Sequence, residues 1–349
     1  VSEAGTCGSA AAIAYEAVEL RVGDEPRRLA PGLLGVRLAL PFALDHVNIW
    51  LLEDDGGWTV VDAGVADERT REHWQDLLSG ALADRPVARL LATHFHPDHL
   101  GLAGWLCAET GAELLASHTE WLNGRLLALD TSAAFVDAGR AFDRRAGLDE
   151  QLVAERAARG NLYRRRVSEP PANFRRLRHG DRLRAGGIEW QVIVGQGHAP
   201  EMVCLFSAAL NVLIAADQIL PRISPVIGVW PAEPEANPLV DFLGSLERFH
   251  ELPDDCLVLP SHGRPFRGLH VRIDQLIAHH AERLEATLAA CARPATVAEV
   301  MPHLFNRELD THQLQFALAE SLAHLNYLLA EGRLRRSLDD AGRFRYARR

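Results

Sequence analysis

The segment Thr93-His94-Phe95-His96-Pro97-Asp98-His99 places three imidazoles and one carboxylate within a few residues of one another. His94 and His96 lie two apart at the end of an apolar run, so in extended conformation their rings leave the same face. Asp98 and His99 follow Pro97, where the chain turns into its next element. Donors gathered this closely suit zinc, iron or manganese at neutral pH. Scattered surface histidines beside a helix-capping Asp would not require this spacing. Further donors recur at later strand ends. His198 sits in Gly195-Gln196-Gly197-His198-Ala199-Pro200 after the apolar run 190–194. Asp217 closes the run 213–216, and His262 sits in Pro260-Ser261-His262-Gly263 after 256–259. Each is flanked by turn residues, as ligands collected at one edge of a sheet would be.

The elements that must hold these side chains follow from periodicity. Residues 34–40, 47–52 and 58–62 read as strands of an antiparallel meander, parted by Pro41 and by Asp54-Asp55-Gly56-Gly57. Asp62-Ala63-Gly64 makes a tight turn, a polar amphipathic helix is expected over 67–83, and the strand 87–92 runs straight into the histidines. Residues 101–110 read as a helix and 113–116 as a strand. A helical stretch covers 119–158, with Trp121, Leu122, Leu126, Leu129, Phe135 and Phe142 supplying apolar faces. Strands resume at 188–194, 203–206 and 212–216. A Pro-rich loop, 221–238, then leads to a helix at 239–251, the strand 256–259 and a long helix at 269–292. This alternation predicts a mixed α/β sheet with helices on its faces.

The HxHxDH pattern at His94, His96, Asp98 and His99, followed by His198, Asp217 and His262, resembles the metallo-β-lactamase fold superfamily. The likeness covers about residues 30–275. It implies an αββα sandwich with two divalent metal ions at the edge where the sheets meet, zinc foremost, with iron or manganese as alternatives. By position it implies that His94, His96 and His198 bind one metal, that Asp98, His99 and His262 bind the other, and that Asp217 bridges them. Asp98 and Asp217 neutralise only half the charge of two divalent ions, which favours a bridging hydroxide as nucleophile. Asp98 is then the residue expected to orient that nucleophile and carry its proton.

Departures from the family pattern narrow the chemistry. Asp217 stands where antibiotic-cleaving members commonly carry Cys or no bridging group, and His96 stands where the oxygen-reducing flavodiiron members carry Glu. What remains resembles the glyoxalase II-like, lactonase-like and phosphodiesterase-like branches. Leu220 occupies the place where lactonases usually have Tyr, which weakens that alternative. A thiolate with a pKa of about 8.5 departs without a general acid, whereas an alkoxide needs a proton or a metal. Cleavage of a thioester or ester of a small substrate is therefore the leading expectation. Lactone hydrolysis and phosphodiester or RNA cleavage are the alternatives.

Residues 156–184 hold ten Arg against Glu169 and Asp181, a local charge of +8 that leaves −18 for the rest of the chain. This stretch follows the helical insertion. It is either a rim that steers an anionic, CoA-like substrate or a solvated face paired with acidic neighbours. Arg164, Arg165, Arg166, Tyr163 and His46 are the candidate substrate contacts. Trp121, Phe135, Phe142 and Tyr163 either line an acyl pocket or pack within the insertion. His279 and His280 are expected on the surface of the long helix.

The tail has its own pattern. Thr296 can cap a helix to 304, Asp310 or Thr311 can cap a longer one to 331, and Gly332 stops it. Residues 334–338 and 343–346 flank Asp339-Asp340-Ala341-Gly342, a hairpin signal. Helix, helix and wing define a winged-helix-like module. The chain thus divides into a hydrolase domain at 1–292, with a helical insertion at about 119–180, and a C-terminal domain at 293–349. Residues 293–349 carry nine Arg against seven acids, weak equipment for phosphate, so nucleic acid is disfavoured as a partner. Packing or homodimer formation is the better role for the tail.

Composition sets the outer limits. The net charge is −10 and every one of the 37 basic residues is Arg, which excludes Schiff-base lysine chemistry and a P-loop Lys. Cys7, Cys107, Cys204, Cys256 and Cys291 form no CxxC pair, so buried free thiols are expected rather than a disulfide framework. No apolar run approaches the roughly 20 residues of a membrane span. The N-terminus lacks the basic-then-apolar order of a signal peptide. A small-molecule substrate, no membrane and a cytoplasmic location are the resulting expectations.

Overall fold

A computed structural model describes residues 12–306 and 308–349. Cys7 and the expectation about a leader lie outside the described residues. After a short strand β1 (Ala14–Tyr15), the chain builds one sheet in sequence order: β2 (Arg27–Ala30), β3 (Leu33–Ala39), β4 (His46–Asp54), β5 (Gly57–Val61), β6 (Val87–Leu91), β7 (Glu113–Ala116) and β8 (Arg175–Arg176). The second sheet contains β9 (Arg182–Ala185), β10 (Ile188–Gly195), β11 (Met202–Ser207), β12 (Val212–Ala216), β13 (Leu257–Pro260) and β14 (Phe266–Arg267). Its order is β1-β14-β13-β12-β11-β10-β9.

The sheets face each other because their strands are apolar on both sides. In β4, Trp50 and Leu52 point inward and meet Trp190, Val192, Leu205 and Ile214 of the second sheet. Val47, Ile49 and Leu51, one residue out of phase, join Trp74, Leu77 and Leu106 on the outer face. The two-residue period of a strand therefore splits one continuous apolar run between two cores. Helices α1 (Glu68–Ser79), α2 (Pro97–Leu100) and α3 (Ala103–Thr110) cover the first sheet. Asp67 starts α1 by accepting the Thr70 amide, 2.8 Å away.

The expected insertion is three helices, α4 (His118–Leu129), α5 (Ala133–Ala146) and α6 (Glu150–Ala158), capped by Ser117, Ser132 and Asp149. The sequence reading differs from the structure here in two ways. Leu122, Leu126 and Leu129 are exposed rather than packed. The Arg-rich stretch contains two strands not read from sequence: β8 pairs with β7, and β9 pairs with β10. Short edge strands rich in charge carry too few apolar residues to register as strands.

The second sheet is covered by α7 (Pro238–His250) and α8 (Leu269–Ala290). The tail follows in the order read from sequence: α9 (Val297–Leu304), α10 (Thr311–Ala330), then a hairpin of β15 (Leu334–Leu338) and β16 (Phe344–Arg348). Thr296 and Glu299 form a capping box at α9. Val300, Leu318, Leu325, Leu334 and Tyr346 share one apolar core with Leu213 and Val258 of the second sheet. His280 corrects an expectation. It is buried, not on the surface, and its Nδ1 lies 3.3 Å from Nε2 of His324 on α10. Cys107, Cys204, Cys256 and Cys291 are buried free thiols. Among the described residues no helix is long and apolar enough to cross a membrane.

Candidate metal centre

Strand direction brings the donors together. β5, β6 and β7 run parallel; β10 and β12 are each antiparallel to β11 and so share a direction, and β13 is parallel to β12. The carboxyl ends of these strands meet at one edge of the sandwich. Two non-glycine residues there take left-handed backbone, Asp62 (φ 70) after β5 and Ala216 (φ 48) before Asp217. That conformation costs about 1–2 kcal/mol per residue. The two sheets are laced together at this edge, Val203 N–H donating to the Thr93 carbonyl at 2.9 Å and Asn48 N–H to Ser261 at 2.7 Å. Gly197 (φ +97) lets the His198 turn lie against α7, where a Cβ would meet Phe242 at 2.4 Å.

All seven predicted ligands converge. The donor atoms of His94, His96 and His198 lie within 4.8 Å of one another, as do those of Asp98, His99 and His262, and those of His94, His99 and Asp217. Asp217 stands between the groups. Its Oδ1 is 3.3 Å from His262 Nε2, and its Oδ2 is 3.5 Å from His198 Nε2 and 3.6 Å from His99 Nε2. Asp98 Oδ2 lies 3.5 Å from His99 and 3.4 Å from His262. Nε2 of His99, His198 and His262 and Oδ1 of Asp217 are buried without a hydrogen-bond partner. An unsatisfied buried polar atom costs about 1–3 kcal/mol, so four in one cluster fit a site for divalent cations.

The distal ring nitrogens are held. Nδ1 of His99 meets Asp62 at 2.8 Å, Nδ1 of His198 meets the Val226 carbonyl at 2.8 Å, and Nδ1 of His262 meets the His46 carbonyl at 2.7 Å. Each leaves Nε2 free to ligate. The Asp62 carboxylate also accepts the amide and hydroxyl of Thr93, whose oxygen is 3.0 Å from His94 Nδ1. Asp62 was missed as a site residue. Its signal was present, since it is a donor at the end of a buried strand just as Asp217 is. Glu120, at the start of α4, was also missed and gave no local signal. Its Oε2 accepts the Phe95 amide at 3.0 Å and its Oε1 the Glu201 amide at 2.6 Å. Burial pushes the Glu120 carboxyl up to about 7, against the pull of those two amides.

Charge in the cluster is balanced internally. Burial drives His94 well below its usual value and His96 down to about 3, the neighbouring imidazoles adding to the effect. Burial would raise Asp98 and Asp217, but His99 and His262 outweigh it and hold both carboxylates well below their usual range. Burial likewise opposes charge on His99 and His262, yet the surrounding carboxylates carry His99 well up and His262 to about 10.

The candidate substrate contacts separate. Arg166 is half-buried, stands 4.3 Å over the Phe42 ring and feels the charge of Asp98, which opposes the lowering of its pKa by burial. Arg164 and Arg165 are exposed. The Tyr163 hydroxyl does not face the cleft freely; it donates to the Phe95 carbonyl. His46 supports its neighbours, its Nε2 accepting Gly263 N–H at 2.9 Å and its Nδ1 donating to Asp45 at 2.5 Å. Trp121 stacks on Phe174 and donates to the Pro171 carbonyl, so it packs within the insertion, and Phe142 is buried in the core shared with the tail. Several arginines of the basic stretch are paired, Arg156 with Asp143 at 2.7 Å, Arg175 with Glu113 at 3.8 Å and Arg176 with Glu201 at 4.0 Å.

Two sheets closed by helices, with this donor set on their shared edge, define a metallo-hydrolase fold. Residues 43–262 match the metallo-beta-lactamase superfamily and residues 284–349 the metallo-beta-lactamase-like C-terminal domain; the chain belongs to that superfamily. It is 43% identical to a beta-lactamase domain protein from Burkholderia ambifaria, over 97% of this chain and 98% of that one, with a TM-score of 0.89. It is 34% identical to the metallo-beta-lactamase family protein TTHA1429 from Thermus thermophilus, over 92% and 100% of the two chains, with a TM-score of 0.79. The probable metallo-hydrolase YqjP of Bacillus subtilis (strain 168) is 25% identical over 312 residues, 86% of this chain and 92% of that protein. The chain is a metal-dependent hydrolase of this superfamily.

Proposed function

We propose that the chain uses two zinc ions to hydrolyse a thioester or ester of a small anionic, CoA-like substrate. The observation that carries the dinuclear reading is Asp217, whose two oxygens address His262 on one side and His198 on the other. His94, His96 and His198 would hold one ion, and Asp98, His99 and His262 the other. When bound, such ions lower the pKa of water from 15.7 towards about 7 and polarise a carbonyl oxygen.

The chain's own residues supply the rest. Asp98 is the more open of the two carboxylate ligands, its side chain 17% exposed against 8% for Asp217. It is therefore the residue placed to orient the attacking water and carry its proton. Arg166 faces the same cleft, and among the described residues no carboxylate lies within ion-pair distance of it, so it is placed to meet an anionic group on the substrate. Asp62 and Glu120, which also adjoin the cluster, are buried and committed to hydrogen bonds. A thiolate, which departs without a general acid, is the leaving group that this set of residues serves best.

Two observations weigh against the other branches. Leu220 is buried and supplies only its carbonyl, to Arg272, so no phenol stands there as in lactonases. In the tail, Arg333, Arg336 and Arg345 are engaged by Glu285, Glu235 and Glu299, which leaves little free charge for a phosphate backbone. The test is a panel of acyl-CoA thioesters, carboxylate esters, lactones, bis-p-nitrophenyl phosphate and single-stranded RNA, with metal analysis of the protein used. Thioester turnover that follows metal content is the expected result. Phosphodiester or lactone turnover exceeding it in kcat/KM would replace this reading.

A further inference from the structure

We propose that Glu120 is a positioning residue for one metal subsite: its carboxylate ties the His94-Phe95-His96 loop to the turn that bears His198. This rests on the reading that His94, His96 and His198 ligate one ion.

The geometry is specific. Phe95 lies between two of the three imidazoles, and its amide donates to Glu120 Oε2 at 3.0 Å. Glu201 lies three residues after the third imidazole, and its amide donates to Glu120 Oε1 at 2.6 Å. One carboxylate therefore sets the spacing of the two loops that supply all three rings. The other side of the Phe95 peptide is held as well, because the Tyr163 hydroxyl donates to its carbonyl. The peptides on both flanks of Phe95 are thus pinned, and with them the directions in which His94 and His96 leave the backbone.

Glu120 is itself braced. Glu201 returns its own carboxylate to the Thr119 amide at 2.9 Å, so the first turn of α4 and the Glu201 loop hold each other reciprocally. On the next turn Gly124 allows α4 to sit directly on Leu100, where a Cβ would come within 2.1 Å of Leu100 Cδ2. Leu100 immediately follows the ligand His99. An acceptor-only group is required at Glu120, since both of its oxygens face N–H donors. A carboxamide satisfies one and turns its own N–H towards the other. Groups that orient metal ligands typically contribute 10–100-fold in metal affinity.

The test compares wild type, Glu120→Gln and Tyr163→Phe in the full chain, with His198→Ala as a reference lacking one ligand of that subsite. Zinc affinities are read by chelator competition, and cobalt(II) spectra report ligand geometry at each subsite. Glu120→Gln is expected to weaken one ion about 10–100-fold. It should also alter the spectral component that His198→Ala abolishes, leaving the other component in place. Tyr163→Phe should shift the same component by less. Unchanged affinities and spectra with only a lowered Tm would overturn the proposal, as would equal weakening of both ions. If Glu120→Gln does not fold, an unchanged affinity and spectrum in Tyr163→Phe overturns it. A wild-type protein that binds no divalent ion would instead overturn the ligand assignment beneath it.

Discussion

Oδ2 of Asp62 lies 2.8 Å from Nδ1 of His99, and both side chains are buried. The same carboxylate holds the amide and the hydroxyl of Thr93, so it fixes the start of the histidine loop as well as the fourth donor within it. Asp62→Asn keeps the shape but offers an N–H where an acceptor is needed. Zinc affinity measured by chelator competition should fall about 10–100-fold, and activity at limiting zinc should fall with it. Retention of wild-type affinity would mean that His99 is oriented by packing alone.

In our reading Asp98 is both a metal ligand and a proton carrier. Asp98→Asn should lower kcat by about 10²–10⁴-fold, the range of a general acid–base residue. Protein reconstituted to full metal content separates the two roles. Full kcat at unchanged metal content would remove the proton role from Asp98.

Arg166 is distinguished from its neighbours by position rather than by type. Arg166→Glu should raise KM for an anionic thioester by about tenfold, a change of about 1.4 kcal/mol, and leave KM for a neutral ester unchanged. The double change Arg164→Ala and Arg165→Ala should alter neither. An equal rise in KM for neutral and anionic substrates after Arg166→Glu would show that the residue shapes the cleft without reading charge.

His280 and His324 join α8 to α10 as neutral rings. His324 Nδ1 donates to the Glu320 carbonyl at 2.8 Å, so its Nε2 accepts from His280 Nδ1. Burial lowers His280 to about 3 and His324 to about 4, the facing imidazole and Arg283 adding to the effect on His280. Between pH 6.5 and 4 the unfolded chain therefore binds protons that the folded one does not, and stability falls as pH falls, on the order of 1 kcal/mol per pH unit for each ring. Glu320, which burial pushes up to about 7, acts in the opposite sense between pH 4.5 and 7. The contribution of the pair is thus read as a difference. The acid-side slope of Tm against pH should be shallower in His280→Gln/His324→Gln than in wild type, and parallel slopes would count against a neutral buried pair.

Much of this protein is written locally. The seven candidate ligands could be picked out because they follow apolar runs, and strand periodicity and turn residues act over a few positions of chain. Asp62 obeys the same rule and was legible in principle. The strand segments, the capping residue Thr296 and the helix–helix–hairpin order of the tail rest on equally local signals. Tertiary structure decided the rest, because it depends on which distant segments pack together. Glu120 reaches Phe95 across 25 residues and Glu201 across 81, Tyr163 reaches Phe95 across 68, and His280 meets His324 across 44. The same physics separated Arg166 from Arg164 and Arg165, three identical side chains in a row. A backbone turn places one of them over Phe42, where it feels the charge of Asp98, and leaves the other two in water, and nothing in their shared chemistry distinguishes them.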